Sequence, residues 1–288
     1  MQTYQNKIIN ETVIFRQDYK YPVYPPYHSG KYLEDKFYDV FIKNELKLNE
    51  NIIYLPIFWT TVYNDSIQGI QQYLNTLDKD YTYVTVCHHD DAVREILPPK
   101  TIIYAAGGNK GGIPIPLVCS EIPNTYLNQK IEKKYLASFI GSDTHFLRNQ
   151  LHNLYKNDEE FYFRTKQWNP VINQNELEVF FDVTQQSKFC LCPRGYGLTS
   201  FRLYESFQLN SVPVYISDVF WLPFTEDIDW KRLCVFISPN ELPNLKNILN
   251  DISEESYNEM LSYGKECWEK YFKIDNMVNH IYKQIKKI

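Results

Sequence analysis

The chain has 288 residues, which at roughly 150 residues per domain corresponds to about two domains. Thirty Lys and Arg against 35 Asp and Glu give a net charge of -5. That balance argues against a sequence-independent nucleic-acid binder and against a polybasic membrane-surface protein, both of which need basic surface. A hydrophobic fraction of 44% with 23% charged residues is that of a folded domain and excludes wholesale disorder.

In chain order, an irregular start runs through PPYHSG into KYLEDKFYDVFIKNEL, where Leu33, Phe37, Val40 and Phe41 recur at helical spacing. IIYLPIFW (52–59) reads as a buried strand. Asp65 then caps SIQGIQQYLNTL, whose Ile67, Ile70, Leu74 and Leu77 form a helical stripe. YTYVTVC (81–87) is a second strand ending at the polar cluster HHDD, and TIIYAA (101–106) and IPLVC (115–119) are further strands. The polar, Pro-containing stretch at 120–134 marks a boundary. Beyond it YLASFIG opens a second unit: helix SDTHFLRNQLHNLYK, strand FYFR, helix NELEVFFDVTQQ, strand KFCLC, loop PRGYGLTS, helix FRLYESFQL and strand VPVYIS, with a helical tail from about 241. Alternating strands and helices predict an α/β protein. Two units of similar size predict two Rossmann-like domains facing a cleft, at 1–130 and 131–265, with a C-terminal helix at 266–288 that packs back on the first domain.

Aromatics reach 16%. Tyr and Trp faces suit sugar rings and nucleobases, although A/T-rich codon usage gives the same enrichment. The six Cys, at 87, 119, 190, 192, 234 and 267, show no metal-type spacing and mostly sit in apolar runs. They read as reduced, buried thiols of an intracellular protein. Cys190 and Cys192 fall on one face of their strand. The first residues have no apolar signal core, and no stretch of 18 uncharged apolar residues exists.

The run 187–224 carries the chemistry. It places a loop at the carboxyl end of a buried strand, directly before a helix, where open α/β sheets bind ligands. Gly195 and Gly197, on either side of Tyr196, allow a sharp turn and close approach to a ligand. Thr199 or Ser200 is a good N-cap, and the helix N-terminus behind it attracts anions. Arg194 and Arg202 add guanidinium forks suited to phosphate oxygens. Glu205, one turn into the helix, is placed to hold the two hydroxyls of a ribose. A surface loop with a capped helix and two solvated arginines is the bland alternative.

SKFCLCPRG, SFRLYESFQLN, VPVYISD, WLPF and DW, in that order and spacing, resemble the exostosin family of glycosyltransferases. YLASFIGSDTHFLRNQL resembles the opening strand and glycine loop of that family's donor domain, which adds Gly141 and Ser142 to the donor candidates. PPYHSGKYLEDKFY, YLPIFW and VTVCHHDD resemble its acceptor half, so the likeness covers about residues 25 to 270. The resemblance implies a GT-B fold with the sugar nucleotide in the C-terminal domain. It further implies inverting transfer from a UDP-sugar, of xylose, glucuronate or hexose type, to a hydroxyl of an oligosaccharide or glycoprotein acceptor. No metal cofactor is implied, because arginines and a helix dipole stabilise the leaving diphosphate. A short chain with no membrane-spanning stem points to a cytoplasmic protein of a bacterium or of a virus-infected cell.

Inversion needs a general base on the acceptor side. Asp90 in the strand-end cluster His88-His89-Asp90-Asp91 is the first candidate, with His89 as base or orienting partner and Asp65 as second choice. Asp143 and His145, beside the Gly141 loop, are placed either to touch the donor or to cap a helix. Two D-x-D triplets, Asp78-Lys79-Asp80 and Asp227-Ile228-Asp229, are too sparse in ligands to specify a metal site. The competing reading is a nucleotide-sugar-binding subunit without transfer activity, in which the HHDD loop faces away from the donor pocket. A carbohydrate-binding module would lack nucleotide affinity altogether.

Overall fold

The computed structural model describes residues 2–16, 32–44, 46–127, 131–169 and 172–288. The PPYHSG segment, part of the acceptor-side resemblance, lies outside the described residues. The first half contains α1 (Gln2–Glu11), α2 (Leu33–Lys43), β1 (Ile52–Tyr54), α3 (Trp59–Asn64), α4 (Ile70–Asn75), β2 (Thr82–Cys87), β3 (Thr101–Ala105), β4 (Ile113–Pro114) and α5 (Asn124–Leu127). The second contains β5 (Tyr135–Ser142), α6 (Phe146–Tyr155), β6 (Phe161–Lys166), α7 (Gln174–Gln185), β7 (Ser187–Pro193), α8 (Phe201–Gln208), β8 (Val212–Ile216) and β9 (Val235–Ile237). α9 (Leu245–Asn250), α10 (Glu254–Cys267) and α11 (Ile274–Ile285) complete the chain.

Among the described residues the strands form two all-parallel sheets, in the orders β1-β2-β3-β4 and β6-β5-β7-β8-β9. Helices on both faces bury the strands twice over, as parallel sheets require. Side chains alternate accordingly. On β7, Phe189 and Leu191 join a core with α6 and α9 residues such as Leu147 and Leu245. Cys190 and Cys192 point the other way, into a core shared by both halves of the molecule. That shared core holds Leu33, Phe37 and Phe41 of α2, Leu203 and Phe207 of α8, and Met277, Val278 and Ile281 of α11. The C-terminal helix thus lies against α2, and the Tyr282 hydroxyl donates to Lys47 O at 2.7 Å.

Three expected elements differ. The strand read over 52–59 ends at Tyr54, and its last residue opens α3; Pro56 has no N–H to continue a ladder. The helix read from Asp65 begins only at Ile70, after Gly69 at φ 88°. Asp65 itself is the C-cap of α3. The strand read over 115–119 is irregular though buried, because Pro114 and Pro116 interrupt its donors and pairing stops at Pro114.

Candidate active site

The carboxyl ends of the two sheets face one another across a cleft of about 650 Å³. One wall comes from the loop after β2 and from Thr60 and Asn64 of α3. The other comes from the end of β5, the loop 195–200 and the start of α8. His88, His89 and Asp90 all line it, as do Gly141, Ser142, Gly195, Tyr196, Thr199, Ser200, Arg202 and Glu205. The HHDD loop therefore faces the loop 195–200, contrary to the expectation for a non-transferring subunit.

Asp90 stands open to the solvent of the cleft, yet protein atoms crowd its carboxyl. That crowding, with the neighbouring Asp91 charge, pushes its pKa up to about 6 against the pull of Arg148 and Arg194. Such a value suits a proton acceptor working near neutrality. Two glycines make room for it. A Cβ on Gly107 would lie 2.1 Å from Asp90 Cα, and one on Gly197 would lie 2.3 Å from Asp90 Oδ1. Asp90 thus sits against the loop of the opposite domain.

The histidines are less suited to take a proton. Burial lowers His88 to about 3, and its Nδ1 accepts from Leu33 N–H at 3.2 Å, which fixes a neutral ring. Partial burial and the Arg94 charge lower His89 to about 4. Its Nδ1 accepts from the Asp91 amide at 3.1 Å. Burial works against the Asp91 carboxylate, but hydrogen bonds from Tyr196, Asn109 and Arg94 hold it below the ordinary range. Asp65 does not line the cleft; its neighbour Asn64 does. Asp65 closes α3 as its C-cap instead of opening the next helix.

On the opposite wall, Ser200 is the N-cap of α8, and its side chain makes no cap bond among the described residues. Thr199 is buried, and its Oγ1, beside the Tyr204 hydroxyl, makes no hydrogen bond of good geometry. Arg202 donates from Nε to Ile140 O at 2.7 Å, pairs with Glu205 and stacks 4.3 Å over the Phe180 ring. Glu205 is buried in the same wall. Arg194 departs from its expected place. It is absent from the cleft lining, and its guanidinium faces Asp218, Asn109 and the Tyr196 carbonyl.

Arg148 of α6 is the cation that sequence reasoning passed over. It lines the cleft and donates to the carbonyls of Ser142, Pro193 and Arg194. Its signal was legible: it lies in the first turn of the helix that follows the Gly141 strand end. Arg164, Lys166 and Trp168 extend the same wall, with Lys166 paired to Glu176 at 2.9 Å. His145 is the N-cap of α6, and neither it nor Asp143 lines the cleft. The two D-x-D triplets also lie away from it. Asp78 accepts the Asp80 amide in a turn, Asp227 pairs with His280 at 3.0 Å, and Asp229 caps a short 3-10 turn.

Two parallel Rossmann-like domains with a ligand cleft between their strand ends constitute the GT-B architecture. Residues 106–252 match the Exostosin GT47 domain, about half of the chain, and the chain belongs to that family. It is similar to the exostosin-1 homolog of Caenorhabditis elegans, 28% identical over 184 residues that cover 54% of this chain and 46% of that one. It is also similar to exostosin-1 of Drosophila melanogaster, 32% identical over 165 residues, covering 50% and 21%. The probable glucuronosyltransferase GUT1 of Oryza sativa is 35% identical over 84 residues, covering 29% and 20%. The chain thus spans less than half the length of these relatives. Among solved structures, the pneumococcal O-GlcNAc transferase GtfA aligns over 85% of this chain and 58% of its own, at 12% identity and a TM-score of 0.42.

Proposed function

We propose that this protein is an inverting glycosyltransferase that moves a sugar from a UDP-sugar to a hydroxyl of a glycan acceptor. The observation that carries the reading is the position of Asp90. A carboxylate of the first domain, with its pKa near 6, stands across the cleft from the loop–helix start of the second. Asp90 takes the acceptor proton as the hydroxyl oxygen attacks the anomeric carbon, and the bond to the diphosphate breaks on the opposite face.

The leaving diphosphate sits at the start of α8, where the Thr199 hydroxyl and the positive end of the helix dipole meet Arg202, with Arg148 behind them. This replaces Arg194 in the role that the sequence suggested. Glu205 holds the ribose, and its ion pair with Arg202 orients its carboxylate. No metal is assigned a step, since these groups supply positive potential at the leaving oxygen. The sugar is of xylose, glucuronate or hexose type.

The test is a panel of sugar nucleotides incubated with the full chain, read by release of free nucleotide. Turnover of one UDP-sugar, with little of its ADP and GDP counterparts, supports the reading. No release from any donor, together with no uridine-nucleotide binding by calorimetry at millimolar concentration, refutes it.

A further inference from the structure

Arg194 lies between the domains with only 10% of its side chain exposed, and its donors are committed to protein acceptors. Nη1 meets Asp218 Oδ1 at 3.0 Å, and Nη2 meets the Tyr196 carbonyl at 2.9 Å and Asn109 Oδ1 at 3.4 Å. Nε donates back to the Gly195 carbonyl at 3.3 Å. Asn109 belongs to the first domain. Its own amide side chain donates to the Tyr196 carbonyl at 3.1 Å and to Asp91 Oδ1 at 3.3 Å. The Tyr196 hydroxyl crosses the boundary to the same Asp91 oxygen at 2.9 Å.

These contacts close on the loop that bears Asp90. The Asn109 amide donates to Asp90 O at 3.0 Å, and the Lys110 amide to Asp91 O at 3.1 Å. Close by, Leu198 N–H donates to Gly107 O at 2.8 Å and Trp221 Nε1 to Ala106 O at 2.9 Å, so the start of the loop that carries Asn109 is also tied to the second domain. We propose that Arg194 is a positioning residue: through Asn109, Tyr196 and Asp91 it holds the Asp90 loop of one domain at the reacting end of the donor site of the other. The inference rests on the assignment of Asp90 as the base. It gives Arg194 a role in turnover without a contact to the donor, which its absence from the cleft lining requires.

Displacing a reacting group by an ångström costs about a hundredfold in rate. Arg194→Ala therefore lowers kcat by about 10- to 100-fold, while UDP affinity and donor KM stay within about twofold. The acidic limb of the kcat profile moves to higher pH, because the Arg194 charge lowers the Asp90 pKa and the Asp91 charge opposing it remains. Asn109→Ala lowers kcat in the same way. The double variant falls no further than the worse single one, as expected for two parts of one linkage. Tyr196→Phe removes only the hydroxyl contact to Asp91, gives a smaller fall, and serves if Arg194→Ala does not fold. Asp90→Asn is measured beside them. Loss of turnover in Asp90→Asn with wild-type kcat in Arg194→Ala or in Tyr196→Phe overturns the latch alone. A fall in UDP affinity as large as the fall in kcat also overturns it and returns Arg194 to the donor. Full turnover in Asp90→Asn removes the base assignment and the latch together.

Discussion

Glu34 offers the sharpest test of the electrostatics beneath the first-domain wall of the cleft. It sits in the first turn of α2, is 1% exposed, and accepts at Oε1 from Thr60 N–H at 3.2 Å, Thr60 Oγ1 at 2.7 Å and His88 N–H at 2.9 Å. Among the described residues its Oε2 has no hydrogen-bond partner. Burial outweighs the three bonds and raises its pKa from 4.5 to about 7. The folded state then holds a proton that the unfolded chain has released, so stability is full below pH 4.5 and falls as the pH rises toward 7. At about 1.4 kcal/mol per pH unit the penalty reaches about 3 kcal/mol above pH 7. Glu34→Gln keeps an acceptor for the three donors and removes the charge. Melting curves of both proteins from pH 4.5 to 8.5 are expected to agree at the acid end. At pH 8 the variant is expected to melt higher by on the order of 5–10 °C, at roughly 2–4 °C per kcal/mol. Parallel curves for the two proteins would falsify the buried, proton-retaining carboxyl.

Further outcomes follow from the cleft. Asp90→Asn is expected to cut transfer by about two to four orders of magnitude, the range for losing a general base, with UDP-sugar affinity nearly unchanged in a calorimetric titration. Wild-type transfer rates are expected to rise with pH through about 6 as Asp90 loses its proton; a rate independent of pH from 5 to 8 counts against it. Arg202→Ala is expected to lower transfer by about two to three orders of magnitude, the scale for one preorganised group at a developing anion, and turnover near wild type would place the diphosphate elsewhere. Transfer is expected to persist in excess EDTA; abolition by EDTA with rescue by manganese would require a metal-assisted leaving group.

Much of the fold was legible because its determinants are local. Strand faces follow from a period of two, so Phe189 and Leu191 separate from Cys190 and Cys192 without any tertiary knowledge. The loop 194–200 was placed correctly at the end of β7 and ahead of α8 by its glycines and its N-cap residues. Likewise the HHDD cluster was placed at a strand end by the apolar run before it. Element boundaries failed where proline or a left-handed glycine overrode hydrophobic pattern, at Pro56, Gly69 and Pro114.

The sequence by itself determined which loops meet at the cleft, since parallel strands deliver their carboxyl ends to one edge of each sheet. It did not determine which side chains turn into that cleft. Arg194 and Arg148 are both arginines near a glycine at a strand end, yet Arg148 lines the cleft and Arg194 does not. The difference lies with Asp218, brought beside Arg194 by the pairing of β7 with β8, and with Asn109, which reaches it from the first domain; neither is near it in sequence. Asp90 and Asp65 divide in the same way. Asp90 acquires its raised pKa from the crowding of the closed cleft, and its fit from the missing side chains of Gly107 and Gly197. A long, flexible charged side chain has many rotamers of similar energy, and the partner that selects one is supplied by tertiary structure.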